Sequence, residues 1–147
     1  MKHFIDGDFM REAIFEAKKA RDSGDYAIGA VLVKEGKIIE RGANAIIKNC
    51  DPTNHVEIVA IRNACSFVGS RHLEEAVLYT THEPCPMCAG AAIMAKLDGI
   101  VYGAKKEDMF GYSTRADSGN RFWRTNKVSA YDIIVGVILN YLYSDPC

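Results

Sequence analysis

Apolar residues recur at helical spacing near the start of the chain: Phe9, Met10, Ala13, Ile14, Ala17 and Ala20. This pattern predicts a helix over 9–23, capped by Asp6 or Asp8 and ended by Gly24. The period then changes. The small and β-branched run over 27–33 predicts a buried strand, 34–37 a turn, and 38–41 a second strand completing a hairpin. Residues 44–53 lack periodicity and read as a loop closed by Asp51 and Pro52. A second helix begins near Asn54, turns Val56, Val59, Ala60, Ala64 and Phe67 inward, and stops at Gly69. Residues 76–81 form a third strand. Pro84 and Pro86 open a third helix that runs through Ala89, Ala92, Ile93 and Ala95, and 100–102 form a fourth strand.

From the second helix onward the order is helix, strand, helix, strand, which predicts a three-layer α/β arrangement with crossover helices. Residues 104–128 are polar, with Gly111 and Gly119, and predict a long loop. The continuous, mostly β-branched run over 133–139 predicts a buried fifth strand. The whole, 1–147, reads as a single domain with a five-stranded sheet flanked by helices.

Composition changes this picture in two places. A chain of 147 residues buries roughly 70% of the surface its unfolded form exposes, so it needs no disulfide staples to have a core. The formal charge of -1 removes the footprint of a protein gripping nucleic acid mainly through phosphates. It conceals a local excess, because residues 104–128 hold six Lys or Arg against three Asp or Glu. Within that loop, Arg115, Arg121, Phe122, Trp123, Arg124 and Lys127 either stack on and neutralise RNA or form a solvated loop anchored by Trp123. The first residues lack the apolar core of a signal peptide, and no apolar run reaches the ~18 residues of a membrane span. A cytoplasmic, reducing compartment and no membrane association are the expectation. There, five cysteines point to metal or catalysis rather than disulfides.

Cys85 and Cys88 stand three positions apart at a helix start, so both sulfurs can face one ion and the positive helix end favours the thiolate form. His55 opens the preceding helix. Two thiolates and one imidazole suit zinc, and three protein ligands leave the fourth tetrahedral position for water, the layout of a catalytic site. Glu57 is placed to exchange protons with that water as general acid and base. On a regular helix, residues two apart point about 200° away from each other, so this role requires the two side chains to converge at the helix end. A closed structural zinc knot with His82 as fourth ligand is the alternative; it leaves Glu57 without a function. Cys50, Cys65 and Cys147 read as free thiols, with Cys65 a small core hydrophobe, and His3 and His72 as surface residues.

His55-Val56-Glu57 followed by Pro84-Cys85-Pro86-Met87-Cys88 is the signature of zinc nucleobase deaminases. The chain resembles the cytidine deaminase superfamily over about residues 9–104, in particular the branch holding guanine deaminase, cytosine deaminase and the tRNA adenosine deaminases. The stretches Gly29-Ala30-Val31-Leu32-Val33, Gly42-Ala43-Asn44, Asp51-Pro52-Thr53-Asn54 and Leu78-Tyr79-Thr80-Thr81 share in it. The resemblance implies a three-layer α/β/α cytidine deaminase-like fold with a mixed five-stranded sheet, whose fourth and fifth strands are parallel. It implies one catalytic Zn2+ on His55, Cys85 and Cys88, with Glu57 as the catalytic acid and base. It further implies that Asn44 bonds the substrate base, that the Glu83 carbonyl accepts from the departing amine, and that the Val56 N–H positions the ring. Val56 is larger than the alanine usual there and is expected to narrow the pocket wall. The implied activity is hydrolysis of a C–N bond in a cyclic amidine, converting an amino-substituted base to its oxo form with release of ammonia. Guanine is favoured, with cytosine or a small nucleoside close behind; a tRNA-specific adenosine deaminase and a non-catalytic zinc module are the alternatives. A homodimer is also implied.

Overall fold

The structure, a computed structural model, describes residues 6–104. In chain order these form α1 (Gly7–Asp22), β1 (Gly29–Lys34), β2 (Lys37–Ala43), α2 (Ile46–Asn49), α3 (Val56–Val68), β3 (Ala76–His82), α4 (Pro86–Met94) and β4 (Gly99–Ala104). The strand order is β2-β1-β3-β4. β1 runs antiparallel to β2 and β3, whereas β3 and β4 are parallel and joined through α4. The sheet is therefore mixed, and helices cover both faces. The expected fifth strand at 133–139, and the loop beyond Ala104, lie outside the described residues.

The alternation of side chains along each strand sets the layers. Ala30 and Leu32 of β1, Leu78 of β3 and Ile100 of β4 face α3 and α4, where they meet Val56, Ala60, Ile61, Ala64 and Ala92. Val31, Val33, Val77 and Tyr79 face the other way and are covered by Phe9 and Met10 of α1. Asp6 caps α1, its side chain accepting from the Asp8 N–H. The β1–β2 turn is two residues long, and both Glu35 (φ 52°) and Gly36 (φ 71°) are left-handed, the geometry that matches hairpin twist.

Three local expectations need correction. Ile14 points outward, and Glu16 takes a buried place instead. The cause is the close approach of α1 to β1: a Cβ on Gly29 would lie 2.1 Å from the Ala13 carbonyl oxygen and 2.2 Å from the Ala17 nitrogen. Only the small face of Ala13, Ala17 and Ala20 fits such a contact. Glu16 keeps its charge paired there with Lys19 at 2.8 Å and Arg41 at 3.7 Å. Phe67 is 74% exposed rather than inward, and Leu73 occupies the core with Ala64. The stretch 44–53 is not a plain loop, since it contains the single helical turn α2, closed by Cys50 in the left-handed region.

The pairings Gly29 with Ala43, Ala30 with Thr80, and His82 with Ala104 bring the start of β1 and the ends of β2, β3 and β4 to one end of the sheet. Helices α3 and α4, which follow β2 and β3, begin at that same end.

Candidate active site

His55 is the N-cap of α3 and has extended backbone angles (φ -64°, ψ 149°). The residue therefore precedes the helical spiral, and the 200° separation of a regular helix does not apply to it and Glu57. Cys85 holds the equivalent N-cap position on α4, with Pro86 at the first helical position and Cys88 two residues further on. Proline suits that position because the N–H it lacks would have no intrahelical partner. Two helix starts thus present four side chains toward one point.

The Cys85 and Cys88 sulfurs are 3.5 Å apart, and the Cys85 sulfur is 3.6 Å from His55 Nδ1. All three donor atoms lie within 4.8 Å of one another. Tetrahedral zinc, with Zn–S near 2.3 Å and Zn–N near 2.0–2.1 Å, requires edges of about 3.8 Å between sulfurs and about 3.6 Å between sulfur and nitrogen. The cluster fits. Its charge state argues in the same direction. The hydrogen bond with Cys88 holds the Cys85 thiol down at about 4, with help from His55, against the opposing effect of burial. The hydrogen bond with Cys85, together with burial, drives the Cys88 thiol far up. Two sulfurs this close oppose each other's ionisation, and a divalent cation offsets that repulsion when both are thiolates. The bond to Cys85 also raises the His55 pKa, more than burial lowers it.

Glu57 is 4% exposed. Burial raises its pKa above the ordinary carboxylate range, and the neighbouring Cys85 raises it further. Its own backbone N–H, the Cys88 thiol and the Thr80 hydroxyl act against that rise. Thr80 Oγ1, fully buried, donates to Glu57 Oε1 at 3.1 Å. The carboxyl is thus held beside the metal ligands in a form that binds a proton readily.

His82, the alternative fourth ligand, ends β3 and is not part of any cluster able to hold a metal among the described residues. The closed four-ligand knot has no support there. Of the remaining sequence-derived residues, Val56 is the first residue of α3, so its N–H has no intrahelical acceptor. Its side chain is fully buried and packs over Gly42. Glu83 lies between β3 and α4 and donates its N–H to the Ala104 carbonyl at 2.9 Å. Asn44 follows β2, is buried, and donates from Nδ2 to Asp25 at 2.8 Å. Sequence reasoning missed Asp25 and Thr80: one is an isolated acid in a turn, the other a hydroxyl in an apolar strand. The strict alternation of β3 was the available signal for Thr80, since it puts that residue on the face of Leu78.

Residues 5–104 match the cytidine and deoxycytidylate deaminase zinc-binding region. The chain is 48% identical over 100 residues to the chloroplastic tRNA(adenine(34)) deaminase of Arabidopsis thaliana, covering 68% of this chain and 8% of that protein. It is 47% identical over 96 residues to the tRNA-specific adenosine deaminase of Bacillus subtilis, covering 65% of this chain and 60% of that one. The match therefore spans less than two thirds of either relative. A solved structure of guanine deaminase from Bacillus subtilis superposes with a TM-score of 0.68 at 39% identity, covering 71% of this chain and 68% of the other. Sequence, fold and the paired helix starts agree, and the chain belongs to the cytidine and deoxycytidylate deaminase zinc-binding family.

Proposed function

We propose that the protein is a hydrolytic deaminase that replaces the amino group of a nucleobase with oxygen and releases ammonia. The observation that carries this reading is the convergence of Glu57 with His55, Cys85 and Cys88. A structural zinc site is closed by four protein ligands, whereas this cluster supplies three and sets a buried carboxyl beside them. His55, Cys85 and Cys88 would hold the zinc, which when bound supplies a Lewis acid that makes water nucleophilic near neutral pH. Glu57 takes the proton of the attacking water and gives it to the ring nitrogen. As the C–N bond breaks, it takes the proton of the newly added hydroxyl, which becomes the oxo group, and passes it to the departing amine. Thr80 keeps the carboxyl oriented during both transfers. Asn44, Val56 N–H and the Glu83 carbonyl hold the base and the leaving amine.

The relatives' names support adenosine in tRNA as the substrate ahead of the free guanine suggested by motif resemblance. The basic stretch 104–128 is consistent with an RNA partner. Free guanine is the second reading, supported by the guanine deaminase superposition. Assembly as a homodimer belongs to the same reading, and the exposed Phe67, Val68, Met87 and Met94 on α3 and α4 support it. No helix among the described residues is long and apolar enough to cross a membrane.

The test is ammonia release by zinc-loaded protein from guanine, cytosine, adenine, cytidine, guanosine and deacylated tRNA. Turnover on tRNA that falls steeply with salt supports the first reading. Turnover on guanine alone establishes the second. Bound zinc with no ammonia from any of them overturns both.

A further inference from the structure

Asp25 sits in the turn between α1 and β1, where it is only 8% exposed. Its carboxylate is fully engaged. Oδ1 accepts from Asn44 Nδ2 at 2.8 Å and from the Tyr26 N–H at 2.8 Å. Oδ2 accepts from the Ile47 and Lys48 N–H groups at 2.9 and 3.1 Å, the free donors at the start of α2. Burial raises the pKa of this carboxyl, but the four donors outweigh it, so the group stays ionised. One buried anion therefore joins three segments: the turn before β1, the residue after β2, and α2.

The consequence falls on Asn44. A side-chain amide has an oxygen and an NH2 group of nearly equal size, and free in a pocket it can present either. A carboxylate has no hydrogen to give, so the amide must turn its NH2 toward Asp25 and its oxygen away. The backbone is fixed as well. The Asn44 N–H donates to the Ile28 carbonyl at 3.1 Å, and the Ala45 N–H donates to the Asn54 carbonyl at 3.4 Å, adjoining His55.

We propose that Asp25 is a positioning residue that locks the Asn44 amide with its oxygen outward, so that the site selects bases offering an N–H donor at that point. This rests on the reading of Asn44 as a contact of the substrate base. Asp25→Asn tests it with nearly unchanged volume. Asn at 25 keeps the two α2 bonds by aiming its single oxygen at them, which gives up the Tyr26 bond and leaves its NH2 facing Asn44. The Asn44 amide must then reverse.

The experiment uses the zinc-loaded full chain. In the wild type, the Asn44 side-chain NH2 signal, identified by its disappearance in Asn44→Asp, exchanges its hydrogens slowly with solvent. In Asp25→Asn that protection is lost or the signal shifts, while zinc content stays at one per chain. With the substrate identified by ammonia release, Asp25→Asn raises KM about 10- to 100-fold, with a smaller change in kcat. The double variant Asp25→Asn/Asn44→Asp, which restores an outward acceptor, recovers part of that loss. A merely structural role for Asp25 predicts no such recovery. A wild-type Asn44 amide exchanging as fast as an exposed one overturns the proposal. So does a folded Asp25→Asn with wild-type KM for a base whose KM Asn44→Ala raises. If the wild type releases no ammonia from any probe, the functional reading fails, and the exchange measurement still decides the locked amide. The exchange measurement also decides it if Asp25→Asn does not fold.

Discussion

The contact between β2 and α3 offers a direct way to test how tightly the site is held. Gly42 lies beneath the first turn of α3. A Cβ added there would stand 2.9 Å from the Val56 carbonyl oxygen and 3.2 Å from both Val56 Cγ2 and Ala60 Cβ. Carbon atoms in contact normally sit about 3.5–4.0 Å apart, so the helix start must retreat by about 0.3–0.8 Å. Overpacking of this kind costs about 1–3 kcal/mol. The lower entropy of alanine in the unfolded chain offsets about 0.5–1 kcal/mol of that. The net loss for Gly42→Ala is then about 0.5–2 kcal/mol, a fall in Tm of about 1–8 °C for a chain of this size. The same retreat displaces His55 and Glu57 by an amount comparable to the ~0.5 Å tolerance of a working site, so zinc affinity drops about tenfold. Gly90→Ala is the control. Gly90 lies in α4 with nothing within 4 Å of its added Cβ, and alanine there stabilises the helix by about 0.5–1 kcal/mol. Thermal melts and zinc competition against a chromophoric chelator measure both variants. A Gly42→Ala protein with unchanged Tm and zinc affinity would refute the idea that this contact sets the position of the helix start.

Four further outcomes follow from the same geometry. Glu57→Gln keeps zinc at one per chain and loses at least about 100-fold in ammonia release, read by elemental analysis and a coupled assay. Thr80→Val removes one of the groups that lower the Glu57 pKa, so the acidic limb of kcat against pH moves to higher pH; an unmoved limb argues against the Thr80 bond. Zinc at 100 times its dissociation constant stabilises the fold by about 2.7 kcal/mol, and chelation reverses this in a melt. The native Asp25 carboxyl lies below its ordinary value, so its contribution to stability is full above the unfolded value of about 3.9 and is lost as pH falls through the lowered native value. The Tm gap between wild type and Asp25→Asn is accordingly constant over about pH 5–8 and closes below about pH 4.

How far residues can be read in advance depends on how far their signals reach along the chain. The helix and strand boundaries rest on neighbours within a few positions: Asp6 before α1, Pro86 inside α4, and Gly69 in the left-handed region after α3. His55, Cys85 and Cys88 are legible as a candidate zinc site because the chemistry itself imposes a spacing, and because a histidine and two cysteines at helix starts have few other uses. Phe67 looked like a core residue because its spacing from Ala60 and Ala64 is correct. Spacing, however, reports which face of the helix a residue occupies, not whether anything covers that face at the last turn. Ile14 misled for a related reason. The limit was the closeness of α1 to Gly29, a property of the pair that neither segment shows alone. Asp25 is the extreme case. Its partners lie 1, 19, 22 and 23 positions away, three of them are backbone groups with no sequence signature, and its own surroundings read as an ordinary turn. The metal centre is thus specified by side-chain identities that can be read directly. The geometry that would choose among bases is specified by a buried anion and the main chain around it. That difference explains why the family could be recognised from motifs, while a contact such as Asp25 with Asn44 becomes legible only once the fold brings its segments together.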